Sequence, residues 1–295
     1  MKHTDWKTLA KYDLSNENFE IPYENCSVYV PHDNITEFFS RIEGELYEYT
    51  VISADSDYSV VEQGLNKIED DMPKWINMML NGNMPRLGYN PLIVPPRCNL
   101  ERCKITDRYS VKMYSYTQST FPKIPSNVKI WFTTNCGLTD KRIRKIPFGV
   151  PNWSEPYLEW VERDTKIKDL YVNFQLNTME RLMLWRGLDW ANRENVVSHE
   201  EYVERIKKFL FVLCPEGNGL DCYRTLEVLY CGSIPVMLRN KWNDLYNSLP
   251  VIFVDNWNQL SPQYLLSEYE KIKHRTLNYI TDLDYWRDRV NASVS

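Results

Sequence analysis

The sequence predicts an α/β protein made of two Rossmann-like domains that face one another across a cleft. Three observations predict it. Short apolar runs, each the length of one strand, alternate with amphipathic stretches, the pattern of parallel strands joined by crossover helices. That pattern occurs twice, on either side of an irregular segment at Pro151–Lys168. The chain has 295 residues, room for two domains of ordinary size.

Composition narrows the class further. At 43% hydrophobic and 14% aromatic residues, the chain can fill two cores, which excludes a disordered protein. No apolar run approaches the roughly 20 residues of a membrane helix, and the N-terminal segment lacks the apolar stretch of a secretory signal. A cytoplasmic protein without a membrane partner is therefore expected. The seven cysteines have no patterned spacing, and the close pair Cys98 and Cys103 has neither a second pair nor a nearby histidine to complete a zinc site. Reduced thiols are expected.

In the first half, Ser27–Val30 and Tyr49–Ser53 read as strands, with a helix over Asn34–Ile42 between them. Asn34 and Glu37 have the spacing of a capping box at its start. Val128–Thr134 and Ile146–Val150 read as further strands, separated by the basic run Lys141–Lys145. Between roughly 72 and 126 lies a Pro- and Tyr-rich stretch with little periodicity, expected to be an insertion. In the second half, Asp169–Phe174, Phe209–Cys214, Ile234–Leu238 and Val251–Val254 read as strands. Thr178–Leu188 and Asp221–Cys231 read as helices, with Asp221 as N-cap of the second, and residues 261–290 read as a closing helical stretch. The expected domains are 1–152 and 153–295, with Pro151–Lys168 as the hinge.

Charge is unevenly spread. Residues 1–71 carry 5 basic and 16 acidic side chains, whereas residues 72–150 carry 13 and 3. A basic middle on a chain of net charge −5 offers a local attractor for an anionic partner.

The segment with most chemistry is Phe209–Met237, FLFVLCPEGNGLDCYRTLEVLYCGSIPVM. An apolar strand runs into a loop holding Gly217 and Gly219, and a helix starts near Asp221. Glycines let backbone approach a ligand, and a helix N-terminus offers free N–H groups to phosphate. Arg224 and Glu227, three apart, share one face near that end. A cation there suits a diphosphate and a carboxylate suits ribose hydroxyls, although the same spacing also suits a surface ion pair.

The whole segment resembles the C-terminal nucleotide-sugar signature of exostosin-like glycosyltransferases, which use the two-Rossmann fold called GT-B. Tyr49–Val60 (YTVISADSDYSV), Lys129–Asn135 (KIWFTTN), Ile146–Asn152 (IPFGVPN) and Leu170–Arg181 (LYVNFQLNTMER) resemble other blocks of that broader group. Its members often have His where this chain has Tyr223, and Trp where it has Leu226. The resemblance implies a nucleotide-sugar donor, a UDP-sugar, with no obligatory metal. It implies donor contacts from Gly217, Asn218, Gly219, Asp221, Arg224 and Glu227, with Tyr223 in the same turn. Asn173 and Phe174 end a strand that should border the same cleft, and Arg181 is expected either to reach the phosphates or to lie on a solvated helix face.

Transfer to a hydroxyl needs a base, or a site that stabilises charge as the phosphate leaves. Asp57, Asp33 and His32 lie just past strands of the first domain, and Asp57 matches the acidic position of the resembling block. Asp55 and Asp57 also form a D-x-D that could hold a divalent metal, but a metal-type fold leaves the C-terminal signature unexplained. For the acceptor, Arg108, Lys112 and Tyr114 mix cations with aromatic rings, and Asn135 ends a strand facing the cleft. That mixture suits a glycan, or a hydroxymethylated DNA base as in bacteriophage-type DNA modification. The remaining alternatives are a non-catalytic nucleotide-sugar or carbohydrate binder that keeps the fold, and a nucleic-acid-binding module.

Overall fold

The computed structural model describes residues 3–54 apart from 17, 32 and 33, the backbone of strands 64–68, 101–105 and 111–117, and residues 123–294 apart from 137, 177–178, 218–219, 241 and 278–281. In chain order the strands are β1 (Tyr12–Asp13), β2 (Cys26–Tyr29), β3 (Tyr49–Ser53), β4 (Gly64–Ile68), β5 (Glu101–Ile105), β6 (Val111–Thr117), β7 (Val128–Thr133), β8 (Ile143–Lys145), β9 (Ile167–Val172), β10 (Asn192–Arg193), β11 (Phe209–Leu213), β12 (Ile234–Leu238) and β13 (Ile252–Val254). The helices are α1 (Ile35–Ile42), α2 (Met179–Gly187), α3 (His199–Lys208), α4 (Tyr223–Tyr230), α5 (Pro262–Ile272) and α6 (Leu283–Val294). Among the described residues no helix is long and apolar enough to cross a membrane. The five described cysteines are unpaired thiols.

Two five-stranded parallel sheets organise the chain, in the orders β1-β2-β3-β7-β8 and β10-β9-β11-β12-β13. Parallel strands are covered on both faces, which is why β2 and β3 are buried throughout, their polar residues Ser27, Thr50 and Ser53 included. On the first sheet Val28, Val51 and Trp131 meet Phe38 and Phe39 of α1. The neighbouring positions Tyr29, Ile52 and Phe132 point the other way, onto Trp6 and Trp286. On the second sheet Leu170, Phe211 and Val236 pack beneath Leu184 of α2 and Leu265 of α5. Tyr171, Val212 and Met237 pack beneath Val203 of α3 and Leu226 of α4.

The two halves are tied together. Trp286 of α6 stands edge-on to Trp6 at 5.6 Å and to Phe132 at 6.4 Å, and the Thr50 hydroxyl lies 2.9 Å from that of Ser293. The last helix of the second half therefore completes the core of the first sheet.

Several expected elements sit differently. The strand expected at Ile146–Val150 is instead β8, inside the basic run. It is an edge strand, so Ile143 faces the core while Arg144 is exposed and half-buried Lys145 reaches Asp244. Asn34 precedes α1 but makes no capping hydrogen bond with its side chain. Residues 261–290 hold two helices rather than one. The stretch near 72–126, expected to lack periodicity, contributes β5 and β6, which join β4 in a small antiparallel sheet. The short strands β1 and β10 carried too little periodicity to be predicted, and the helix α3 was missed although Tyr202, Val203 and Ile206 recur on one buried face.

The segment expected as a hinge is packed down. Buried Arg163 donates from Nε to the Gly232 carbonyl at 3.1 Å and from Nη1 to the carbonyls of Lys273 and Arg275 at 3.3 and 2.9 Å. Gly232 ends α4 at φ +78°, and a Cβ there would lie 2.3 Å from the Val161 carbonyl oxygen. Backbone strain and a clash with main chain combine, so Gly232→Ala should cost about 3 kcal/mol or more. Urea unfolding measures it; a loss below about 1 kcal/mol would show that residues 160–163 yield easily.

Candidate functional site

In the second sheet β10 lies on one side of β9 and β11 on the other. The strand order reverses between β9 and β11, and in open parallel sheets the crevice at the carboxyl ends of such a pair is where ligands bind. Asn173 and Phe174 leave β9 at that point, and Pro215–Gly217 leave β11 opposite them before α4 begins. Apolar strands followed by a glycine turn make this crevice, so its floor is buried chain and its rim is the first turn of α4.

Phe174 is the hub. The guanidinium carbons of Arg181 and Arg224 lie 5.5 and 5.6 Å from its ring centroid, so two cations flank one buried ring. Arg181, itself buried, donates from Nε to the Glu216 carbonyl at 2.9 Å and from Nη1 to that of Gln175 at 3.3 Å. It shapes the turn that holds Gly217, where a Cβ would stand 2.8 Å from Arg181 Nη2 and 2.9 Å from Cys222 Sγ. Arg224 donates from Nε to the Tyr202 hydroxyl at 3.1 Å and lies over that ring as well. Asn173 donates to the Asn195 carbonyl at 2.8 Å.

Arg224 and Glu227 do not form the ion pair that their spacing allows. Glu227 is buried at 3% exposure, and its Oε1 accepts from the Ser154 hydroxyl at 2.7 Å. His199, the first residue of α3, brings Nε2 to 3.0 Å from Ser154 Oγ and 3.6 Å from the same Glu227 oxygen. Burial raises the Glu227 pKa against the pull of Ser154 and Arg224, and burial lowers that of His199. Trp153, more than half exposed, stands edge-on to His199 at 4.3 Å and to Tyr223 at 6.3 Å. Tyr223 in turn stacks on Phe148 at 4.7 Å.

Asp221 is not the N-cap of α4; that position is Cys222, without a side-chain cap. The Asp221 carboxylate is buried and joins the halves. It accepts from Phe148 N at 3.0 Å, Tyr246 Oη at 2.5 Å and Cys222 N at 2.8 Å, while its own N–H donates to Asn135 Oδ1 at 2.6 Å. Asn135 adopts φ 51°, a left-handed conformation that Asn tolerates. Its side-chain oxygen, expected on the acceptor side, thus holds the loop before α4.

The structure accordingly brings Asn173, Phe174, Arg181, Gly217 and Arg224 together where β9 and β11 end, with Tyr223 and Glu227 on the same helix α4. The Asp221 carboxylate, by contrast, is turned to Phe148 and Tyr246 and, among the described residues, faces no ligand site. Asn218, Gly219, His32, Asp33, Asp55, Asp57 and Arg108 lie outside the described residues, as do the side chains of Lys112 and Tyr114. Among the described residues no three His, Cys, Asp or Glu side chains group as metal ligands. Sequence reasoning missed Ser154, His199 and Tyr202. A signal existed for two of them: Ser198 and Glu201 form a capping box that starts α3.

Comparison with known proteins supports the same half of the chain. The family described as RXYLT1 C-terminal domain matches residues 157–286, a span containing the whole second sheet and the crevice. A probable glycosyltransferase of Arabidopsis thaliana is 30% identical over 94 residues, which is 32% of this chain and 19% of that relative's length. Residues 157–286 thus resemble that C-terminal domain family, and about a third of the chain resembles part of a protein named as a probable glycosyltransferase.

Proposed function

We propose that this chain is a glycosyltransferase that moves a sugar from a nucleotide-sugar donor, a UDP-sugar, to an acceptor hydroxyl, with its two sheets as the Rossmann-like halves of a GT-B arrangement. The observation that carries the reading is the β9–β11 reversal, where Arg224 on the first turn of α4 lies over Phe174 from the end of β9, with buried Glu227 one turn further along the helix. Phosphates fit a helix N-terminus and a guanidinium, and a carboxylate suits sugar hydroxyls. The similarity of residues 157–286 and the name of the Arabidopsis relative support the same chemistry.

Asp57 is the proposed base, with Asp33 and His32 as the alternatives. The acceptor is proposed to be a carbohydrate. In the described basic run Arg142 pairs with Asp140 and Lys145 with Asp244, each at 3.0 Å, so half of its cations are already matched by carboxylates. Exposed Trp153 and Tyr157 line the crevice side with flat apolar rings that suit sugar faces.

Thermal unfolding against a panel of nucleotides and nucleotide-sugars tests the reading. A ligand at about 100 times its dissociation constant adds roughly 2.7 kcal/mol. One donor should raise the wild-type midpoint by several degrees, and Glu227→Ala should abolish that shift. Selective binding without transfer to any carbohydrate or modified DNA would favour a non-catalytic binder; no shift with any donor would remove the reading.

A further inference from the structure

Ser154 and His199 hold Glu227 in a way that donor contact alone does not require. Ser154 Oγ lies 2.7 Å from Glu227 Oε1 and 3.0 Å from His199 Nε2. A hydroxyl has one proton and a carboxylate only accepts, so with Glu227 ionised the Ser154 proton points to it. Nε2 of His199 must then carry the proton that Ser154 Oγ accepts. The chain of donors runs His199 to Ser154 to Glu227, and it fixes the imidazole tautomer. If the imidazole takes a second proton, an imidazolium stands 3.6 Å from a carboxylate oxygen.

We infer that His199 is a positioning residue: through Ser154 it holds Glu227 ionised and in one orientation toward the ligand. The inference rests on the proposal that Glu227 contacts the donor. Its geometry is rigid on both sides. Ser154 is fully buried in the segment leaving the first half, and His199 is fixed by the capped first turn of α3 and by the Trp153 ring. Besides Trp153, the rings of Tyr157 and Tyr202 stand beside His199, at 6.2 and 5.9 Å; in sequence Glu200 and Glu201 follow it on α3 and Glu155 follows Ser154, and Arg224 on α4 reaches the Tyr202 hydroxyl. Glu201 is turned back onto Ser198, and Arg224 is held by Tyr202. Glu227 is the carboxylate in contact with the imidazole. Burial opposes charge on both partners, and on Glu227 the Ser154 hydrogen bond and the Arg224 charge oppose burial.

The chain has only four histidines, so NMR titration can follow each ring, with His199→Gln identifying the signal. Neutral His199 should carry its proton on Nε2, and Glu227→Gln should lower its midpoint by about one pH unit or more. UDP affinity against pH supplies the second readout. His199→Gln and Ser154→Ala should each lose UDP binding at a pH about one unit higher than wild type, because the buried carboxylate then protonates earlier. An unchanged His199 midpoint in Glu227→Gln, or variant pH profiles that superimpose on wild type, would overturn the inference. A wild type that binds no UDP at any pH would instead remove the donor reading, while the histidine titration still decides whether the two groups are coupled.

Discussion

Asp221→Ala should cost about 4 kcal/mol at neutral pH, because it leaves buried donors without their acceptor. The backbone N–H groups of Phe148 and Cys222 and the Tyr246 hydroxyl all point at this one carboxylate, which is 3% exposed. Asn should rescue only part of the loss. Each carboxylate oxygen accepts from a backbone N–H, and an amide replaces one of those oxygens with a donor. The pH dependence supplies an independent check. Burial raises the Asp221 pKa to about 6 despite its hydrogen bonds. An unfolded Asp titrates near 3.9, so between those values the folded state binds the proton more tightly, and stability from this group grows as pH falls. From pH 7 to pH 4 the wild type should therefore gain about 2 kcal/mol relative to Asp221→Ala, whatever other carboxylates do to both proteins. Urea unfolding at the two pH values reads the difference. A constant difference would mean that Asp221 keeps its charge throughout.

The same residue shows where sequence reading stops. Asp221 stands in good position for an N-cap, since it precedes a helix and follows glycines. Its partners Phe148, Asn135 and Tyr246 lie far away in sequence, and nothing local marks a carboxylate that will be buried between two halves. Strands such as β3, β11 and β12 were legible because parallel pairing buries both their faces and leaves continuous apolar runs. β8 was not, because an edge strand with one inward residue carries no such run. The gathering of Phe174, Arg224 and Glu227 followed from strand ends and a helix start. Ser154 and His199 could not be placed there, because their meeting depends on how the segment after Val150 crosses the start of α3.

Arg224→Lys should weaken nucleotide binding roughly 30-fold, or about 2 kcal/mol, with much less effect on stability. The guanidinium is a planar group wedged between the rings of Phe174 and Tyr202, each about 5.6 Å from its carbon. Only Nε is spent on a described hydrogen bond, to the Tyr202 hydroxyl. The terminal nitrogens therefore remain to meet a diphosphate as a fork, a geometry that one ammonium cannot reproduce. A lysine also cannot stack as a plane between two rings, so it keeps the charge and loses the aim. The substitution thus separates two explanations that Arg224→Ala would confuse. If Arg224 acts only by charge beside the helix start, Lys should bind UDP as the wild type does, with the usual salt dependence. If it acts by directed donors, calorimetry should show the 30-fold loss in UDP affinity while the uridine nucleoside, lacking phosphates, binds both proteins equally. Equal losses for UDP and uridine would place Arg224 against another part of the ligand, and the order of phosphate and sugar contacts along α4 would have to be reversed.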